Sequence, residues 1–292
     1  LECLSFQEIK NLFIILLALV FVLCFFAITG IFETPRPDGR ISILGGGPIT
    51  FARWMGYGVI SLYFLPIKKT YFLRFSFIIL FLIYCLVSGS RGPFTILLLI
   101  FMLYFFLNFR KIFLRFSILF SIIIAVFLFS NISKDISELG RTDRVFLNVA
   151  KKGGSNQSTQ TRYELAQRSL NLIKTYPFGI GAGNWQKIAN RYDSTHLMAH
   201  EYPHNLIFEI MNEYGVFVGI LFLLFILHVS YSAYAKMKNN TDVNSLYPFL
   251  FYLWIFLLLN AMLSGSLDDS RLLFITSCSI LVNSPLTLKK DE

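Results

Sequence analysis

Apolar runs of about 20 residues recur along this chain, separated by short polar stretches, and no other feature constrains the fold as much. In lipid such a run can satisfy its backbone only as a helix or within a closed barrel. A barrel needs alternating segments of about ten residues, and the sequence has none. The pattern predicts an all-α fold, a polytopic transmembrane helical bundle of about eight spans. They fall near 12–32, 48–66, 72–88, 93–109, 112–130, 205–233, 246–263 and 270–284. The chain opens on Leu1, and its first apolar run, Leu12 to Ile31, is too long for a signal-peptide core. We therefore expect it to begin inside a longer protein.

Charge sets the topology. The net charge of +9 invites a nucleic-acid reading, but the basic residues of the short loops sit at span edges rather than on an aromatic-interleaved patch. Lys68, Lys69 and Arg74, then Arg110, Lys111 and Arg115, then Lys236 and Lys238, and finally Lys289 and Lys290 fall on one side, which the positive-inside rule makes cytoplasmic. The other side holds 33–47, the Ser88–Gly92 turn, the long 131–203 segment and the acidic Gly265 to Asp269 loop. Both ends then lie in the cytoplasm, and Arg36, Arg40, Arg91 and His204 share the outer face. The organisation reads as 1–130 with five spans, 131–203 as an outer loop, and 204–292 with three more. In the loop, Thr161 to Thr175 has helical apolar spacing, with Thr161 placed to cap it and Pro177 to stop it. Lys151 to Thr161 reads as a polar, mobile stretch. The four cysteines (Cys3, Cys24, Cys85, Cys278) have no metal or redox spacing and read as packing residues.

Ionisable residues at a membrane edge are functional candidates by default. Arg91 lies in Ser88-Gly-Ser-Arg-Gly-Pro93, a tight reversal between two spans. Arg40 precedes Gly45-Gly-Gly-Pro48, where backbone amides at a helix start would suit an anion, and Arg53 follows one turn into that helix. Either arginine could bind an anion or merely snorkel to the interface. His204 opens the sixth span, and a helix starting there would put Asn205, Glu209, Asn212 and Glu213 on one face. A histidine there can act as a general base or as a cap. His200-Glu-Tyr-Pro-His204 matches the zinc-protease pattern in letters, but Pro203 opposes the continuous helix that such a site needs. Gly179-Ile-Gly-Ala-Gly183 lacks dinucleotide spacing and reads as a tight turn whose amides could face a phosphate.

Together, Pro177-Phe-Gly-Ile-Gly-Ala-Gly-Asn-Trp185, His204-Asn-Leu206 and Glu213-Tyr-Gly-Val-Phe-Val-Gly219 resemble the signature of the bacterial O-antigen ligase and polysaccharide polymerase family. Ser90-Arg-Gly92 and Gly39-Arg40 resemble its two outer arginine motifs, although Ile49 and Thr50 stand where the family often has Asn. The resemblance implies a metal-independent, cofactor-free glycosyltransferase of the inner membrane, with its active site on the periplasmic face. Its substrate would be an undecaprenyl-diphosphate-linked oligosaccharide, and its acceptor a glycan or lipid A–core. By this likeness His204 is catalytic, while Arg91, Arg40, Arg53, Asn205 and Glu213 bind substrate. Chain-length or flippase proteins are the candidate protein partners, and nucleic acid is not one. Polymerase is the expected activity and ligase the alternative. An anion transporter and a zinc membrane protease are more distant readings.

Overall fold

A computed structural model of the chain describes residues 5–34, 40–67, 71–108, 154–189, 202–240 and 245–282. All regular elements among them are helical apart from one isolated bridge between Glu33 and Ile43. The helices are α1 (Phe6–Thr29), α2 (Gly47–Phe64), α3 (Tyr71–Val87), α4 (Arg91–Asn108), α5 (Gly154–Thr175), α6 (Trp185–Ala189), α7 (Leu206–Tyr214), α8 (Val216–Asn239), α9 (Tyr247–Ser264) and α10 (Arg271–Val282), with a 3₁₀ turn at Asp268–Ser270. Of these, α1, α4, α8 and α9 are long and apolar enough to cross a membrane, and α3 is a shorter apolar helix. The chain is therefore a helical protein with several membrane-crossing candidates.

Two expectations change, and another falls outside the described residues. The expected sixth span, 205–233, is two helices, because the chain turns at Gly215 (φ +91°) between α7 and α8. At 9 residues α7 is only about 14 Å long, far short of the roughly 30 Å of a hydrocarbon core, and lies outside the membrane-crossing helices. The helix expected from Thr161 begins earlier, at Gly154, so Thr161 is interior rather than a cap and much of the stretch read as mobile is helical. The expected span at 112–130 lies outside the described residues, as do Arg36, Lys68, Lys69, Arg110, Lys111, Arg115, His200 and Glu201.

The chain divides into two compact units. One comprises Ile14–Tyr63 and Ile67–Ser158. Within it α2 approaches its neighbours at Gly58, where an added Cβ would lie 2.6 Å from the Phe81 ring and 2.9 Å from Val20. A residue without a side chain is what lets apolar helices come this close. Arg74, at the start of α3, donates through Nε to the Leu62 carbonyl at 2.9 Å, satisfying the end of α2.

The other unit comprises Leu1–Phe13, Phe64–Pro66 and Thr159–Glu292. Here α9 is the buried helix: Phe249, Tyr252, Trp254 and Phe256 are enclosed. Phe64 stacks on Tyr252 at 4.3 Å, Phe13 meets Phe249 edge-on, and the Trp254 indole donates to Ser277 Oγ at 2.8 Å. α8 packs on α7, α9 and α10 yet leaves Phe217, Leu221, Leu224, Leu227 and Tyr231 exposed. Such an apolar face is unfavourable in water and suits lipid. A small separate core joins α5 to α6, with Trp185, Leu165, Leu172 and Ala189 buried and the indole donating to Ser169 Oγ.

Candidate functional site

The first arginine motif is a self-satisfied turn. Thr34 N–H donates to the Ser42 carbonyl at 2.7 Å and Leu44 N–H to that of Phe32, so the chain doubles back before α2. The three glycine amides expected to face an anion are engaged within the turn. Gly45 donates to Thr34 Oγ1, Gly46 to the Ile43 carbonyl and Gly47 to Ser42 Oγ. The polar side chains around the glycines claim these donors first. What the turn presents instead is Arg40 itself, which is exposed.

The second arginine motif explains where Arg40 goes. Gly89 has φ +75°, and a Cβ there would lie 3.1 Å from Arg40 Cγ and 3.4 Å from Cδ. The Arg40 stem thus lies across Gly89, two residues from Arg91, whose pKa is lowered first by burial and then by the Arg40 charge. Ser88 Oγ accepts from Ser90 N–H at 3.2 Å and donates to the Cys85 carbonyl, fixing the reversal that starts α4 at Arg91. Ser90 occupies the cap position, yet its hydroxyl is buried without a hydrogen-bond partner among the described residues. Pro93, the third helical residue, cannot supply one of the two amides that a capping hydroxyl can bind. Sequence alone placed these two arginines at different helix ends; the structure brings them together. Arg53 lies half-buried in the second turn of α2.

His204 belongs to the other unit. It is not the first residue of a helix but the residue before the cap, with φ +54°, a left-handed backbone that non-glycine residues seldom adopt. The zinc-protease pattern requires its histidines on one continuous helix, and His204 is outside any helix. Asn205 is the cap: its side-chain oxygen accepts from Phe208 N–H at 3.1 Å, and its Nδ2 donates to the Met262 carbonyl at 3.0 Å. The Tyr202 ring lies 4.2 Å from the imidazole, and its hydroxyl donates to the Ser264 carbonyl.

Glu213 lies near the end of α7 and is buried. Burial raises the pKa of its carboxyl, and the nearby Gly183 and Trp185 amides act against that rise. The glycine run at 179–183 is spent on the same junction. Ile180 N–H donates to the Asn212 carbonyl, Gly181 N–H to that of Glu213, and Val216 N–H to that of Pro177. A Cβ on Gly179 would sit 2.6 Å from the Glu213 carbonyl oxygen, and one on Gly215 2.7 Å from Phe178. The run is a clasp on the α7–α8 turn rather than a phosphate cradle.

Two features were not legible in the sequence. Glu209 Oε2 accepts from Leu267 N–H at 2.9 Å. Burial first, then the charges of Glu213, Asp268 and Asp269, push its carboxyl up to about 7, against the lowering effect of the Leu267 amide. The second is the exit of α9, which supplies partners to Tyr202, Asn205 and Glu209 from across the chain. The glutamate's place on one face with Asn205, Asn212 and Glu213 could be drawn on a helical wheel; its partner could not.

The arrangement can therefore offer two cationic groups to an anion and, separately, an imidazole on a fixed turn. A family model described as O-antigen ligase matches residues 75–223, just over half of the 292-residue chain. It spans Arg91, the glycine clasp and the His204 turn, and stops short of the α9 exit. No curated protein and no solved structure matches the chain. On the strength of that match the chain belongs to the O-antigen ligase family.

Proposed function

We propose that this protein is a metal-independent membrane glycosyltransferase that lengthens a glycan carried on undecaprenyl diphosphate, at the periplasmic face of the inner membrane. The observation that carries the reading is the pairing of Arg40 with Arg91. A diphosphate carries negative charge toward both and offers oxygens to each planar fork. Arg53 adds positive charge on the same side of the scheme, and Asn205 and Glu213 border the acceptor.

In the step itself, the His204 imidazole takes the proton of an acceptor hydroxyl. The oxygen attacks the anomeric carbon of the donor, the bond to the diphosphate breaks, and the lipid diphosphate leaves with its charge on the arginines. The acceptor in this reading is a second lipid-linked glycan, which makes the enzyme a polymerase. The ligase reading, with lipid A–core as acceptor, is favoured by the description of the matched family. Chain-length and flippase proteins would be its partners.

The test is a surface-polysaccharide ladder from cells lacking the gene, complemented with wild type or His204→Ala. Wild type should restore long chains, and His204→Ala should leave carriers bearing one repeat. Long chains that accumulate without attachment to lipid A–core in the gene's absence would instead assign ligase. A normal ladder from His204→Ala would remove the histidine from the mechanism.

A further inference from the structure

The last turn of a helix carries carbonyls with no intrahelical partner. At the end of α9 two of these, on Met262 and Ser264, are taken by Asn205 Nδ2 at 3.0 Å and the Tyr202 hydroxyl at 3.1 Å. Just beyond, the Leu267 amide is taken by Glu209 at 2.9 Å. The three side chains flank His204 on both sides, and the three backbone groups come from six consecutive residues on a different helix and its exit. Between the flanks, His204 holds a left-handed backbone, which is strained for a non-glycine residue and persists only when its surroundings over-determine it. Tyr202 is also the ring against the imidazole, so fixing its hydroxyl fixes one wall of the histidine's place.

We propose that the exit of α9, Met262 to Leu267, is part of the catalytic apparatus, acting through Tyr202, Asn205 and Glu209 to position His204. This rests on the reading of His204 as the proton acceptor. None of the three is a catalytic residue in this role; each acts through the histidine. The α9 exit lies beyond the residues that the family model matches, so the brace extends the site into the final quarter of the chain.

Three substitutions separate the parts. Glu209→Ala removes the acceptor for Leu267, whereas Glu209→Gln keeps an oxygen there. Tyr202→Phe deletes one hydroxyl and keeps the ring. Asn205→Ser keeps a good cap and loses the amide donor to Met262. The full-length protein in detergent would be labelled with diethyl pyrocarbonate, and modification of His204 followed by mass spectrometry. Turnover of a lipid-diphosphate-linked oligosaccharide would be measured in parallel, with thermal unfolding as the control for folding. Breaking the brace should raise the His204 labelling rate several-fold. It should also lower kcat about tenfold or more with little change in KM, since a misplacement of about 1 Å can cost a hundredfold. Glu209→Gln should restore both values. Unchanged labelling and kcat in folded Glu209→Ala and Tyr202→Phe would overturn the brace. Full activity in His204→Ala would instead overturn the catalytic reading, which the labelling result does not depend on. If Glu209→Ala does not fold, the milder Tyr202→Phe, which keeps the ring and loses only the bond to Ser264, decides the matter alone.

Discussion

The arginine junction and the histidine turn are built on opposite plans. At the junction the backbone is satisfied locally: serine, threonine and carbonyl groups no more than 11 residues away close each turn, and two exposed arginines lie on it. At the histidine turn the backbone is strained, and it is held by partners 57 to 62 residues away. Its surroundings are acidic, with Glu209, Glu213, Asp268 and Asp269 acting on one another. In the proposed mechanism an anion is drawn by charge, which tolerates some freedom of position, whereas proton transfer needs geometry in advance, which a fixed histidine turn would supply.

The sharpest way to break this comparison is at the histidine. His204→Ala should slow glycan assembly by about 10²–10⁴-fold, the usual contribution of a positioned acid–base group, read as loss of chains beyond one repeat. At the junction the effect should be smaller and electrostatic. Arg91→Ala should cut turnover at low donor concentration by about 10–100-fold, the loss expected from one charge-assisted pair of hydrogen bonds. Arg91→Lys should recover only part of it, because an ammonium lacks the planar fork. Lowered turnover in Arg91→Ala with a wild-type donor KM would show that the arginine is structural.

A finer test uses the glycine beneath Arg40. Gly89→Ala puts a methyl group 3.1 Å from Arg40 Cγ at a left-handed position that costs about 1–2 kcal/mol for a non-glycine residue. Donor KM should rise, and adding Arg40→Ala should bring little further loss, since both changes remove the same interaction. Additive losses would mean that Gly89 serves the turn and not the arginine.

The smallest effect concerns acidity at the histidine turn. The Glu209 carboxyl titrates near 7 in the folded protein, against an ordinary value of 4.5, so between those values the folded state holds more protons than the unfolded chain. Its favourable contribution is complete below 4.5 and is lost as pH rises through 7. The thermal midpoint should therefore fall between pH 5 and pH 7.5, and Glu209→Gln should flatten that slope. An unaltered slope in Glu209→Gln would locate the titration elsewhere.

The sequence by itself determined the helical, membrane-crossing character of the chain, because apolar length is a local property and lipid leaves few ways to satisfy a backbone. It also marked Arg40, Arg91 and His204, because glycine and proline punctuation and isolated charges stand out against an apolar background. It misjudged the glycine runs, whose amides looked open to a ligand. Whether a donor is open depends on which carbonyl or hydroxyl reaches it first, and for Ile180 and Gly181 those carbonyls lie on α7, about 30 residues on. The break at Gly215 was equally hidden, since apolar periodicity continues through it while the clasp from Pro177 and Phe178 sets its direction. Only the tertiary structure laid Arg40 across Gly89 and gave the His204 turn its brace from the end of α9. Those pairings join residues far apart in the chain, and no local spacing encodes them.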